Sequence, residues 1–271
     1  MELKKITSRN NEYIKELTKL SNKKYRETSG MFAFEGHKLL EEALISGITL
    51  KAVLVTKHAL ESYSMIKSLL FKGIDFDLIE VTDEVYDKIS FEKSPEGIFC
   101  VAEVLDKYHI FNIIYKCSDF SLKTVILDGI RDPGNLGTIL RTASAFGIDT
   151  VIMSHDCADI YNSKTIRASM GAVFRIKTVS VKDLPGTVLN MRENGYKVYS
   201  AALIPSSISL TDLEIDTKTV MIIGNEGSGI RNEVISSSSG SVIIPMQNGT
   251  ESLNAASAAT VILWEMYRQQ N

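Results

Sequence analysis

The fold is decided by the stretch Val242-Ile-Ile-Pro-Met-Gln-Asn-Gly-Thr-Glu-Ser-Leu-Asn-Ala-Ala-Ser-Ala-Ala-Thr-Val-Ile-Leu-Trp264. A short apolar run ends at Pro245, a polar loop with a glycine follows, and a helix then begins with mostly Ala and Ser. Polar groups concentrated between a strand and a helix are typical of ligand sites in open α/β sheets. Taken alone, the pattern is equally compatible with an ordinary, well-capped strand-to-helix connection.

Length and composition indicate a globular protein of one large or two ordinary domains. The chain has 271 residues, of which 44% are apolar and 23% charged, values typical of soluble proteins. It contains no apolar run of about 18 residues, so we expect no transmembrane helix and no membrane partner. The polar amino terminus has no apolar signal core, and the cysteines are three, so we expect a cytoplasmic protein without disulfides.

Neither a metal site nor a cysteine nucleophile is predicted. The four histidines have no partner one helical turn away and no cysteine at ligand spacing, which argues against zinc. His155-Asp156-Cys157 contains the residue types of a catalytic triad. Adjacent residues on an extended segment point to opposite faces, however, so we do not expect them to act together.

Charge is distributed unevenly along the chain. The net charge is −3, yet residues 1–30 contain eight Lys or Arg and four Asp or Glu, a local excess of +4. A basic arm on an acidic body can contact phosphate groups. On charge alone, a solvated amphipathic helix is the favoured interpretation.

Alternating apolar patterns predict two α/β domains. In the first domain, 1–105, we expect helices at 11–20, 36–47, 58–71 and after Thr82, with strands at 50–55, 76–81 and 98–104. A bridging segment, 106–122, follows. In the second domain, 123–271, we expect strands at 124–128, 150–154, 174–180, 196–202, 219–223 and 241–245. Helices near 135–146, 162–170, 185–194, 230–236 and 251–268 separate them, which predicts a mostly parallel sheet covered on both faces.

Three loops of the second domain should meet at one edge of that sheet, because the carboxyl ends of parallel strands lie together. They are 128–141, 224–231 and the loop of the opening stretch, and they are rich in Gly, Asn and charge. Arg141 could bind a phosphate through paired hydrogen bonds. The glycines fit neither a P-loop nor a dinucleotide-binding motif, which argues against both classes.

Taken together and in this order, the three loops resemble the motifs of the SpoU (TrmH) family of RNA ribose 2′-O-methyltransferases. The matching residues are Asn135 and, six residues later, Arg141; Ile223-Gly-Asn-Glu-Gly-Ser-Gly229; and Ile244-Pro-Met246 with Glu251-Ser-Leu-Asn254. Ala-Ala-Ser follows Asn254 where Val-Ser-Val is commoner. Further matches are Phe32-Ala-Phe-Glu-Gly36, Ser94-Pro-Glu-Gly-Ile98, in which Glu96 is more often Gln, and Lys164-Thr-Ile-Arg-Ala-Ser-Met-Gly171.

The resemblance implies an α/β catalytic domain with a C-terminal trefoil knot of SPOUT type, preceded by a small RNA-binding domain like a ribosomal protein. It implies S-adenosylmethionine (AdoMet) as cofactor, bound in a bent form within the knot, and a homodimer formed through the knotted domain. We expect ribosomal RNA of the large, 23S-type subunit as substrate. The alternatives are transfer RNA, or a non-catalytic protein that binds AdoMet and RNA; an unrelated nucleotide-binding α/β enzyme is a further rival.

The resemblance also assigns site residues. The expected catalytic set is Asn135, Arg141, Glu226, Ser252 and Asn254. The expected cofactor-binding set is Ala202, Leu203, Gly224, Asn225, Glu226, Gly227, Ile244, Met246, Ser252 and Leu253. In this hypothesis Arg141 holds an RNA phosphate, Glu226 orients Arg141, and the remaining catalytic residues position the ribose or each other. Since arginine stays protonated, the phosphate or a water would receive the hydroxyl proton.

Overall fold

The computed structural model describes residues 3–69, 74–105, 123–247 and 252–270. The chain forms two compact units: one holds 3–105 together with Tyr161–Phe174, and the other holds 123–160 and 175–270. The sequence did not predict that the Tyr161–Phe174 segment packs with the first unit. The boundaries at 105 and 123 stay a prediction, and the bridging segment 106–122 lies outside the described residues.

The structure has short strands and helices that alternate along most of the chain. The strands are β1 (Lys4–Ile6), β2 (Met31–Glu35), β3 (Leu50–Thr56), β4 (Asp77–Val81), β5 (Ile98–Glu103), β6 (Thr124–Asp128), β7 (Thr150–Ser154), β8 (Lys177–Val181), β9 (Lys197–Ala201), β10 (Ile208–Ser209), β11 (Thr219–Gly224) and β12 (Gly240–Ile243). The helices are α1 (Glu12–Thr18), α2 (Lys23–Ser29), α3 (His37–Ile45), α4 (Lys57–Ser62), α5 (Ser64–Leu69), α6 (Asp83–Ile89), α7 (Pro133–Ala145), α8 (Ser163–Ser169), α9 (Ala172–Arg175), α10 (Leu184–Glu193), α11 (Asn232–Ser237) and α12 (Ala255–Gln270).

The first unit contains a mixed sheet with the order β1-β4-β3-β5-β2. The strands predicted at 50–55, 76–81 and 98–104 are present as β3, β4 and β5, whereas β1 and β2 were not predicted as strands. Because β5 runs antiparallel to β2 and β3, the loop before it lies at the carboxyl ends of those two strands. The predicted cap at Thr82 is confirmed, since its hydroxyl accepts a hydrogen bond from the Val85 N–H.

Part of the charge of the basic amino-terminal arm is paired within this unit. Lys5, Lys15 and Lys19 each form an ion pair with a glutamate. Arg26 is buried and donates to the carbonyl of Leu20 at 2.6 Å. Glu12 and Glu16 are already included in the local excess of +4, so these ion pairs lower that excess only through Glu80.

The second unit contains a seven-stranded sheet with the order β10-β12-β9-β11-β6-β7-β8, in which every described pair is parallel. The prediction of a mostly parallel sheet is confirmed, and the two-residue strand β10 is an addition to it. The predicted strand at 174–180 is wrong at its start, because Ala172–Arg175 is a helical turn and β8 begins at Lys177. Short apolar runs do not distinguish a buried helical turn from a strand.

The topology places the three polar loops at one edge of the sheet. β6 and β11 are neighbours, β9 lies between β11 and β12, and all four strands run in the same direction. The loops that follow β6, β11 and β12 therefore leave the sheet side by side. The last helix, α12, packs against α7 and β11. Among the described residues, no helix combines the length and apolar character needed to cross a lipid bilayer.

Candidate active site

A cavity of about 460 Å³ opens at the carboxyl ends of β9, β11 and β12. All ten residues predicted to bind the cofactor line it: Ala202, Leu203, Gly224, Asn225, Glu226, Gly227, Ile244, Met246, Ser252 and Leu253. The remaining lining residues are Ala201, Ile223, Ser228, Gly229, Val242, Ile243, Ala255 and Ala258. The structure thus brings together positions from three separate segments, and the small residues of α12 keep its first turn open to the cavity.

The loop after β11 is organised by Asn225. Its backbone exchanges two hydrogen bonds with Gly229, both at 3.0 Å. Its side-chain oxygen accepts from the N–H groups of Gly227 and Ser228, at 2.9 and 3.1 Å. Its side-chain nitrogen donates to the carbonyl of Gly129 at 2.7 Å and so ties this loop to the loop after β6. The side chain of Asn225 therefore shapes the cavity wall, a task that the sequence had not assigned to it.

Gly224 occupies a position where no side chain fits. A Cβ atom there would lie 2.5 Å from the carbonyl carbon of Gly229 and 2.6 Å from the backbone nitrogen of Ile230. Such distances are far below van der Waals contact, and two of the three nearest atoms belong to the backbone, while the third is the Cγ1 atom of Ile230. Glycine at this position lets the two arms of the loop approach each other at the wall of the cavity.

An ion pair between a buried carboxylate and a partly exposed arginine anchors the same loop. Asp128, at the end of β6, is 1% exposed. Its carboxylate accepts from the backbone N–H of Arg231 at 2.9 Å and from the guanidinium Nε and Nη2 at 2.9 and 2.5 Å. The hydrogen bonds to Asp128 raise the pKa of Arg231 above its usual range. In the sequence, the only sign of this pair is an acidic residue, Asp128, at the end of an apolar strand.

Asn135 connects all three loops. It lies at the start of α7, where its N–H donates to the capping carboxylate of Asp132 at 2.8 Å. Its side-chain nitrogen donates to the Oε1 atom of Glu226 in the second loop. Its side-chain oxygen accepts from the Nδ2 atom of Asn254 at 3.2 Å. The three predicted catalytic residues Glu226, Asn135 and Asn254 thus form one continuous chain of side chains at the mouth of the cavity.

Asn254 also caps the last helix. Its Oδ1 atom accepts from the N–H groups of Ala256 and Ser257, at 2.9 and 3.3 Å. Capping fixes the side chain so that its amide nitrogen points toward Asn135. Ser252 is exposed and lines the cavity just before this cap. Asn254 therefore caps the helix and at the same time contacts Asn135, while its catalytic role stays a prediction.

Arg141 differs from the other predicted catalytic residues. It is exposed on α7 and, within the described residues, makes no hydrogen bond or ion pair. Within the described residues no hydrogen bond or ion pair joins Glu226 to Arg141, and the Oε1 atom of Glu226 accepts from Asn135. That Glu226 orients Arg141 stays a prediction. Six helical residues separate Asn135 from Arg141, or about 9 Å along the axis and about 240° around it. The guanidinium is therefore free to bind an external anion.

The His155-Asp156-Cys157 segment forms a structural network rather than a triad. Ser154 accepts from the N–H of Gly129 at 2.8 Å and donates to Asp156 at 2.6 Å. The hydrogen bond from Ser154 lowers the pKa of Asp156. Burial raises the pKa of the Cys157 thiol, which keeps it protonated and poorly nucleophilic at neutral pH. Among the described residues, no group of three His, Cys, Asp or Glu side chains could hold a metal ion.

The cavity suits a ligand with an apolar ring system and a polar end. Its volume lies in the range that encloses a ligand of drug-like size. Leu203 and Met246, which are 73% and 37% exposed, form part of its wall together with Ile244 and Leu253. Polar groups of the loop after β11 line the other part. The cavity therefore offers an apolar wall and a separate polar wall to a bound ligand.

Comparisons with known proteins match both units. The model of the SpoU rRNA Methylase family matches residues 123–264, and that of the MRM3-like substrate binding domain matches residues 11–100. The 23S rRNA (guanosine(2553)-2′-O)-methyltransferase RlmP of Bacillus subtilis is 30% identical over 264 residues, which are 97% of this chain and 99% of the relative.

Two solved structures with bound AdoMet are similar over nearly the whole chain. The rRNA methyltransferase from Sinorhizobium meliloti is 28% identical, with a TM-score of 0.85 and coverage of 98% of either chain. The SpoU methyltransferase AviRb from Streptomyces viridochromogenes is 26% identical, with a TM-score of 0.83 and coverage of 96% of this chain and 98% of the other.

Proposed function

Since the chain belongs to the SpoU rRNA methylase family, we propose that its cavity binds AdoMet and that Asn135, Arg141 and Glu226 serve methyl transfer to RNA. The protein is an RNA ribose 2′-O-methyltransferase. One observation supports the site assignment. The side chains of Glu226, Asn135 and Asn254 are hydrogen-bonded in a row at the mouth of a cavity that every predicted cofactor-binding residue lines.

Bound AdoMet supplies an electrophilic methyl group on a positively charged sulfur. The residues of this chain have to place a ribose 2′-hydroxyl in line with that group and exclude other nucleophiles. Holding two reactants in such a geometry can contribute on the order of 7–11 kcal/mol. Asn135 is suited to positioning because its amide is fixed at both ends, by Glu226 and by Asn254.

We assign to Arg141 the binding of the RNA phosphate next to the reacting ribose. An exposed guanidinium without an internal partner can form paired hydrogen bonds with a phosphate. It would also favour negative charge as it develops on the 2′-oxygen. Arginine remains protonated in proteins, so it does not take the hydroxyl proton.

We also propose that the second unit is knotted, as the family resemblance implies. The end of α12 is bound to the segment before β11: the side chain of Gln269 accepts from the N–H of Ile215 at 2.8 Å and donates to the carbonyl of Leu213 at 3.0 Å. The start of the same helix lines the cavity. Both ends of α12 are thus held by segments that precede β12 in sequence, an arrangement that a threaded chain would produce.

For the assembly we propose a homodimer formed through the second unit. Trp264 and Tyr267 on α12 pack around Phe146, with ring centroids 5.6–5.9 Å apart. Trp264 is 49% exposed, Tyr267 39% and their neighbour Val261 40%. A cluster of exposed aromatic side chains on one face is typical of a protein interface. A second copy of this chain is the occupant we propose.

For the substrate we propose large-subunit ribosomal RNA, bound by the first unit and methylated in the cytoplasm. The match of residues 11–100 to a substrate-binding domain, and the 23S rRNA activity of the Bacillus subtilis relative, support this choice. The test is transfer of labelled methyl groups from AdoMet to unmodified ribosomal and transfer RNA, followed by mapping of the methylated ribose. Incorporation into transfer RNA alone would contradict the proposed substrate.

Arg141→Ala tests the active-site assignment. We expect turnover to fall by about 10²–10³-fold, the effect of removing one transition-state contact, while AdoMet affinity by calorimetry stays unchanged because Arg141 does not line the cavity. Wild-type turnover in this variant would disprove the assignment. Calorimetry with AdoMet, NAD and ATP distinguishes an AdoMet-dependent enzyme from a different nucleotide-binding enzyme. If the protein binds AdoMet but methylates no RNA, it is a binding protein only.

A further inference from the structure

The first unit contains a cluster of aromatic and acidic side chains that the methyltransferase site does not use. It consists of His37 at the start of α3, Tyr63 between α4 and α5, and Glu96 in the loop before β5. These segments meet at the carboxyl ends of β2 and β3, because β5 runs antiparallel to both strands. We call this group the His37–Tyr63–Glu96 cluster.

Glu96 holds His37 in one orientation. Its Oε2 atom accepts from the backbone N–H of His37 at 2.8 Å and contacts the ring Nδ1 at 2.7 Å. A carboxylate can only accept, so Nδ1 carries the proton, and Nε2 is an acceptor in the neutral ring. Partial burial acts to raise the pKa of Glu96, but the hydrogen bonds from His37 outweigh it and lower this pKa, which keeps the carboxylate charged. Its other oxygen, Oε1, makes no hydrogen bond within the described residues.

The aromatic part of the cluster is a stacked pair. The rings of His37 and Tyr63 have centroids 4.7 Å apart and an interplanar angle of 22°. The His37 side chain is 31% exposed and that of Glu96 43%, and Tyr63 is half-buried. An aromatic surface beside a charged acceptor is therefore open to solvent. The cluster lies outside the hydrophobic core of the unit, which contains residues such as Ile14, Leu54 and Tyr86.

The backbone is shaped to hold Glu96 close to α3. Gly36 has a φ of +107°, and a Cβ there would lie 3.2 Å from the Glu96 carboxylate. Gly97 has a φ of +77°, and a Cβ there would lie 2.3 Å from the hydroxyl of Thr56. Both conformations favour glycine, so the sequence around the cluster allows the loop before β5 to reach the start of the helix.

We propose that the His37–Tyr63–Glu96 cluster binds one unpaired guanine of the RNA substrate, stacked on the aromatic pair and read by the free Oε1 atom of Glu96. Proteins recognise single-stranded RNA by stacking bases on aromatic side chains and by hydrogen bonds to the base edge. The inference rests on the proposed RNA-binding role of the first unit and adds a nucleotide preference to it.

Guanine fits the acceptor better than the other bases, since adenine and cytosine each present one amino donor beside a ring nitrogen that can only accept. Its Watson–Crick edge presents two adjacent donors, N1–H and N2–H, and a carboxylate oxygen has two lone pairs to accept them. Uracil has a single donor between two carbonyl oxygens, which a carboxylate repels. The exposed lysines Lys38 and Lys93 lie on the segments that supply the cluster and could hold the flanking phosphates.

The test measures binding of the full-length protein to a fluorescein-labelled oligouridine and to the same oligomer with guanosine at its centre, at low salt. We expect the guanosine oligomer to bind the wild type roughly 10-fold more tightly. Tyr63→Ala should weaken binding of the guanosine oligomer by roughly 10-fold through lost stacking. Glu96→Gln should remove the preference for guanosine, because the new amide keeps an acceptor for His37 and places a donor where guanine needs an acceptor.

Tyr25→Ala and Glu16→Gln are matched controls. The Tyr25 hydroxyl donates to Glu16 on another exposed surface of the same unit, and we expect neither variant to change the affinity or the preference. Equal binding of both oligomers to the wild type, binding of neither, or wild-type behaviour of Tyr63→Ala would overturn the proposal. Methyl transfer to ribosomal RNA is measured on the same proteins: activity without guanosine preference refutes the cluster alone, and guanosine preference without activity refutes the proposed function alone.

Discussion

Removal of the Arg231 side chain tests how the loop of the cofactor cavity is anchored. Asp128 is almost fully buried, and the guanidinium supplies two of the three hydrogen bonds that the structure gives its carboxylate. Removing one partner of a buried pair typically costs about 3–5 kcal/mol, because a charge is left uncompensated. The backbone N–H of residue 231 still donates in Arg231→Ala, so we expect the lower end, about 3 kcal/mol.

A control variant tests whether the loss of stability depends on the burial of the ion pair or on its length. Arg268 forms an ion pair with Glu265 at 2.6 Å, close to the 2.5 Å of the Arg231–Asp128 pair. Both partners are more exposed, at 56% for Arg268 and 13% for Glu265 against 37% for Arg231 and 1% for Asp128. An exposed pair contributes about 0–1 kcal/mol, so Arg268→Ala should be nearly neutral. Adding Asp128→Asn to Arg231→Ala should recover part of the lost stability, since the double variant buries no unpaired charge.

The assay is urea unfolding followed by tryptophan fluorescence. Trp264 is the single tryptophan and lies in the unit that holds Asp128 and Arg231, so its signal reports the stability of that unit. AdoMet affinity by calorimetry should also fall in Arg231→Ala, because the loop after β11 lines the cavity. If the free energies of unfolding of Arg231→Ala and Arg268→Ala differ by less than about 0.5 kcal/mol, the Arg231–Asp128 pair does not anchor the loop as argued.

Three further outcomes follow from the structure. Gly224→Ala should lower AdoMet affinity and destabilise the fold by about 1–3 kcal/mol, as an added methyl group does in a packed site; calorimetry and urea unfolding with unchanged values would contradict the tight loop. The Ser154 hydrogen bond lowers the pKa of Asp156. The ionised Asp156 carboxylate therefore stabilises the folded state above about pH 4, and this stabilisation is lost as the pH falls through the lowered pKa. Asp156→Asn should accordingly show a shallower loss of stability below about pH 4 when unfolding is followed by circular dichroism, and an unchanged slope would argue against this role. Trp264→Glu should convert a dimer into a monomer, as measured by light scattering. Ile45→Glu, at a residue that is 74% exposed in the first unit, is the control and should leave the dimer intact. A Trp264→Glu variant that stays dimeric would place the interface elsewhere.

Local patterns in the sequence were sufficient for most elements. Alternation of strands and helices predicted the parallel sheet of the second unit, because strand and helix periods depend on residues close in sequence. The same reasoning failed at β2 and at Ala172–Arg175. In both places a short apolar run is buried by partners distant in sequence, such as Phe174 packing on Phe34 at 5.1 Å between ring centroids, and a local pattern does not contain that information.

The sequence by itself determined which residue types would surround the cavity and, through the family resemblance, which loops carry them. Tertiary structure alone decided their contacts: Asn135 meets Glu226 91 residues later and Asn254 119 residues later, whereas Arg141, on the same helix, meets neither. Tertiary structure likewise decided that Asn225 contacts Gly129 and that Asp128 pairs with Arg231, the contacts that anchor the loop after β11. The physical reason is that a hydrogen bond forms only when donor and acceptor lie within about 3 Å and point toward each other, a condition set by the packing of distant segments.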